Sequence, residues 1–141
     1  MACSVVAVAV NRQLTHTSLI KPGAPPTLIG TFTFNTLNTM SFNVGHLIPT
    51  TAKQFDVTVV INSGGAKETS TFCVWLWTEL GNDQQDVKFK QGLCYPQNAY
   101  SSDSETFSFT YSSDHPQIFL KSNYANGQNM SVYLYAVGYA Q

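Results

Sequence analysis

Residues 55–63, FDVTVVINS, set Phe55, Val57, Val59 and Ile61 against Asp56, Thr58, Val60 and Asn62 in a two-residue alternation. That period predicts a strand with one buried face, because successive side chains leave a strand on opposite sides. Gly64 and Gly65 follow, then TSTFCVWLWTE, so the two runs read as a hairpin with a medium loop. The second run is apolar on both faces, Phe72, Val74 and Leu76 pointing one way and Cys73, Trp75 and Trp77 the other. Such a strand is central in its sheet, or its outer face packs on a partner subunit.

After the polar turn GNDQQD, the segment VKFKQGLCY resumes strand character, with Val87, Phe89 and Leu93 expected inward. ETFSFTY alternates Phe107, Phe109 and Tyr111 with Thr106, Ser108 and Thr110; QIFLKS is a short strand; NYANGQN is a loop with an Asn-Gly turn signal. The closing strand, MSVYLYAVGYA, puts Met130, Val132, Leu134 and Ala136 on one face and Tyr133, Tyr135, Val137 and Tyr139 on the other. Upstream, TLIGTFTFNTL and TMSFNVG add two strands after KPGAPP, a connection inside the domain, and MACSVVAVAVNRQL reads as a first strand. The total is eight or nine strands with no helical periodicity, a single all-β domain over residues 1–141. The expected architecture is an antiparallel β-sandwich of jelly-roll type, since the immunoglobulin Cys, Trp, Cys spacing is missing.

Composition narrows the function. Charged residues make up 11% of the chain and the net charge is -1, with the seven basic residues scattered. The basic patch of a nucleic-acid binder is absent, and nothing reaches the about 20 apolar residues of a membrane-spanning helix. A surface of Ser, Thr, Asn, Gln and Tyr suits neutral polar ligands and favours an extracellular or secreted setting. The apolar start lacks the basic n-region of a signal peptide, so none is expected in this chain. Cys3, Cys73 and Cys94 have no zinc spacing. Cys73 reads as a small buried hydrophobe, with a Cys73–Cys94 bridge as the alternative.

Catalytic constellations are weak. His16, His46 and His115 stand in no nucleophile or metal motif, and they read as loop or strand-end residues. Asp103 and Glu105, two apart, would share a strand face as a glycosidase pair must, but read first as solvated acids. The expectation is a non-enzymatic protein without cofactor or metal. Sugar binding fits better: amides and carboxylates supply directional hydrogen bonds and aromatic faces cover the apolar side of a ring. CYPQNAYSSD offers Tyr95, Gln97, Asn98, Tyr100 and Asp103, and loop 122–129 adds Asn123, Tyr124, Asn126 and Asn129. Pro96 and Asn98 also suit a corner, and amide side chains cap their own backbone in turns.

The segments IPTTAKQFDVTVVINSG, CYPQNAYSSDSETFSFTY and YLYAVGYA, within residues 47 to 140, together resemble a family of short animal proteins frequent in marine invertebrates. Some small invertebrate β-sandwiches of this kind are lectins, which implies a glycan ligand by analogy. The resemblance transfers no site residue. The leading expectation is a lectin made multivalent by homo-oligomerisation. The alternatives are a structural protein whose aromatic surface drives assembly, or a carrier with a cavity lined by Trp75, Trp77 and the phenylalanines.

Overall fold

The computed structural model describes residues 25–33, 39–65, 68–96, 99–123 and 129–141. The first strand expected within residues 1–14, and Cys3 and His16, lie outside them. Eight strands follow in order: β1 (Thr27–Thr33), β2 (Met40–Asn43), β3 (Gln54–Gly64), β4 (Ser70–Gly81), β5 (Gln84–Cys94), β6 (Tyr100–Thr110), β7 (Gln117–Ser122) and β8 (Asn129–Ala140). One sheet has the order β1-β8-β3-β6 and the other β2-β7-β4-β5, every pairing antiparallel. The pairs β1–β8, β2–β7, β3–β6 and β4–β5 are those of a long ribbon rolled on itself. This is a jelly roll, the sandwich expected from the sequence.

Phe55, Val57, Val59 and Ile61 of β3 pack with Met130, Val132, Leu134 and Ala136 of β8 on the inner face of the first sheet. Phe72, Val74 and Leu76 of β4 and Ile118 and Leu120 of β7 meet them from the second. Each of these side chains larger than alanine contributes about 1.5–3 kcal/mol through removal from water. The connection at 44–52 closes one end with Val44, Leu47, Ile48 and Ala52.

Three expectations need correction. The runs at β3 and β4 form no hairpin, because β3 pairs with β6 and β8 while β4 pairs with β5 and β7; the segment between them crosses from one sheet to the other. The tight hairpin is β4–β5, turned through Asn82 and Asp83 at φ 52° and 61°. Val87, Phe89 and Leu93 point outward, since they sit opposite the outward Trp77, Trp75 and Thr71. Tyr139 leaves the outer face because a bulge at Val137 shifts the register by one, setting it opposite Phe55.

Cys73 also departs from the buried position expected of it. Cys94 is the buried thiol and Cys73 lies half-buried on the outside of β4, where burial pushes its thiol pKa up. They occupy opposite faces of one sheet and form no disulfide with each other.

A candidate ligand face on the outer side of the β2-β7-β4-β5 sheet

Alternation along β4 commits Phe72, Val74 and Leu76 to the core, and so turns Cys73, Trp75 and Trp77 outward. Cross-strand register then assembles rows. Phe119, Trp77 and Val87 form one, and Lys121, Trp75 and Phe89 the next. The Trp77 and Phe119 rings stack at 5.6 Å between centroids with 10° between planes. Strands lie about 4.8 Å apart and same-face residues about 6.8 Å apart, so two rows cover roughly the footprint of one or two sugar rings.

Phe89 is 58% exposed and Val87 50%, large values for apolar side chains beside two indoles. Contiguous apolar surface of this kind marks ligand grooves or protein contacts. Within it Trp75, Trp77, Gln85, Val87 and Lys121 line an open depression of about 250 Å³. That lies below the roughly 300–1,000 Å³ that encloses a drug-sized ligand, so the depression accepts one small ring while the rest of a ligand runs over the sheet. Polar groups border it: Gln85 donates from Nε2 to Glu79 Oε2 at 3.3 Å. The Trp77 Nε1–H is covered and has no acceptor among the described residues, a condition that costs about 1–3 kcal/mol where it persists.

The residues expected to bind sugar fall elsewhere. Gln97, Asn98, Tyr124 and Asn126 lie outside the described residues. Tyr95 and Tyr100 are exposed at the corner where the chain passes from β5 to β6 and changes sheet, closed by the Ala99 N–H donating to Pro96 O at 2.9 Å. Tyr100 and Asn129 both pair with Gly64, one on each side of β3, so the strands that follow the two expected loops start at the same end of the sandwich.

Asp103 belongs to a strand and not to a loop. It projects from β6 towards the gap between the sheets, where Lys90 Nζ of β5 lies 3.0 Å from Asp103 Oδ2 and 3.2 Å from Glu105 Oε1. Asp103 and Glu105 thus do share a face, held by one ammonium. The bond to Asp103 raises the Lys90 pKa, burial opposes the shift and Glu105 adds to it. Lys88 likewise points inward at this rim, 3.0 Å from Asp86 and over the Phe109 ring at 6.0 Å. Lys88 and Lys90 are therefore rim residues, each ion-paired at the edge of the gap between the sheets. Inward charges on β5 and β6, the edge strands here, oppose pairing with a foreign strand.

Three residues of the outer face escaped the sequence reading: Gln85, Phe119 and Lys121. Only cross-strand register brings them to one face, with Phe119 opposite Trp77, Lys121 opposite Trp75 and Gln85 opposite Glu79. The carrier alternative loses its cavity, since the tryptophans face outward and Phe55, Phe72 and Phe109 face the core.

No family model and no curated protein matches the chain. Among solved structures, a chain described as "CBM4 structure and function" is similar over 73% of this chain, with 10% sequence identity and a TM-score of 0.36. The match spans 59% of that chain. The jelly-roll assignment rests on strand pairing and not on this likeness.

Proposed function

We propose that this protein is a non-enzymatic carbohydrate-binding protein that takes its ligand on the outer face of the β2-β7-β4-β5 sheet. The supporting observation is the pairing of two outward tryptophans with a small open depression bordered by Gln85 and Lys121. Indole faces cover the apolar face of a sugar ring, and amide and ammonium groups reach its hydroxyls. Self-association would make such binding multivalent, with avidity gained without new contacts to sugar.

Trp75 and Trp77 are the only two tryptophans of the chain, so intrinsic fluorescence reports directly on this face. Titration with soluble oligosaccharides chosen from a glycan-array screen should change emission saturably. Trp75→Ala should weaken binding at least tenfold while circular dichroism and the melting temperature show a folded protein. Binding that survives Trp75→Ala and Trp77→Ala unchanged would remove the site from this face.

A second reading, an assembly surface, is favoured by the exposure of Phe89 and Leu93 beyond the depression. Sedimentation distinguishes the two: a dimer dispersed by Phe89→Ser, in a protein that binds no glycan, would support assembly alone.

A further inference from the structure

Lys121 sits directly opposite Trp75 in the β4–β7 register and lines the depression beside it. The ion pairs among the described residues join Lys88 to Asp86 and Lys90 to Asp103 and Glu105. All of these lie at the β5–β6 rim, and none involves Lys121. Of the outward positions on neighbouring strands, Gln85 and Gln91 of β5 and Ser41 and Asn43 of β2 are uncharged. Glu79 is the carboxylate on β4's outer side, four residues from Trp75 and engaged by Gln85. An ammonium without a carboxylate partner among the described residues therefore stands next to an indole at an otherwise uncharged end of the depression.

From this we infer that the ligand is an acidic carbohydrate, whose ring lies on Trp75 and whose anionic substituent, carboxylate or sulfate, accepts hydrogen bonds from Lys121 Nζ. The inference rests on the carbohydrate reading and specifies its ligand class. Neutral sugars would satisfy the indole but leave the ammonium to water. An anionic substituent adds a charge-assisted hydrogen bond, stronger than a neutral one. The geometry also makes the preference directional, since the cation lies on the β7 side of Trp75 and the apolar Phe89 on the β5 side.

The test compares matched ligands on the unaltered protein by tryptophan fluorescence and calorimetry. One arm sets an oligogalacturonate against its methyl ester, and the other a sulfated galactan oligosaccharide against its desulfated form. The expected result is that one acidic ligand binds about tenfold more tightly than its neutral counterpart. The advantage should shrink when salt is raised from about 0.05 to about 0.5 M. Which arm responds separates carboxylate from sulfate. Lys121→Gln should abolish the preference and Lys121→Arg keep most of it, while Lys53→Gln, an exposed lysine outside the depression, should leave it intact. Equal affinity for acidic and neutral ligands, or equal losses in Lys121→Gln and Lys53→Gln, would overturn this inference and leave carbohydrate binding standing. If folded protein binds neither acidic nor neutral sugars, both readings fall.

Discussion

The ring of Tyr100 lies across Gly64, its direct partner on β3, well inside the space a β-carbon there would need. Phe72 covers Gly92 in the same way, its ring 2.6 Å from where that carbon would stand. An aromatic side chain laid over a strand glycine shields backbone that the glycine leaves bare. Tyr100, offered by the sequence as a sugar contact, has this packing role as well. The two sites differ in their freedom to yield: Tyr100 is 67% exposed and can swing outward, whereas Phe72 is 2% exposed and is held on all sides. Gly92→Ala should therefore cost about 1–3 kcal/mol as an overpacked site. Gly64→Ala should cost less, because the better strand propensity of alanine offsets part of the displacement. Urea denaturation of the two variants checks this, and equal losses would contradict it.

At the scale of the strand, β5 behaves against its own hydrophobicity. Its apolar Val87 and Phe89 face solvent while Lys88 and Lys90 face the rim, because the β4–β5 turn sets a register that places Val87 opposite Trp77. Asp86 secures the rim by accepting from the backbone N–H of Thr110 on β6 at 2.8 Å, a link between the two sheets. Burial pushes the Asp86 carboxyl up, but the Thr110 N–H and the Lys88 ammonium together outweigh it and leave the pKa below the usual aspartate range. A carboxyl whose pKa is lower folded than unfolded stabilises the fold above its unfolded value and loses that contribution as pH falls through the folded one. Asp86→Asn should thus destabilise at neutral pH by roughly 1 kcal/mol. The gap should close as pH drops below about 4. Thermal melts of both proteins across pH 2 to 7 measure it, and a gap that stays constant would assign the loss to shape and not to charge.

Across the whole molecule, the rolled ribbon joins the ends of the described chain: β1 pairs with β8, and Thr27 stands opposite Ala136. Such contacts close long loops before they return stabilisation, so folding is slow for the chain's size. Refolding followed by tryptophan fluorescence should take milliseconds to seconds, and a microsecond phase carrying the full amplitude would contradict the topology. The same roll starts β6 and β8 at one end, with Tyr100 and Asn129 both opposite Gly64, and leaves the tryptophan face broad and open along the side of a sandwich. A rigid sheet carrying the contact side chains reduces the ordering cost of binding.

The alternation in FDVTVVINS and MSVYLYA was enough to assign two core strands and their inward residues, since burial of one strand face leaves a period that survives any partner. The two-sided character of β4 likewise announced a central strand, with Trp75 and Trp77 on the side opposite the core residues. Pairing was a different matter: nearness in sequence suggested β3 against β4, and the roll sent them to opposite sheets. The orientation of β5 was hidden because lysines and apolar residues both alternate there, and only the neighbour's register decides which set faces in. The bulge at Val137 moved Tyr139 to the core by one residue, a shift that composition does not record. Gln85, Phe119 and Lys121 share one face with the tryptophans only when three strands lie side by side. Periodicity is a property of one strand and is written in its residues; a binding face belongs to several strands at once, and tertiary pairing alone composes it.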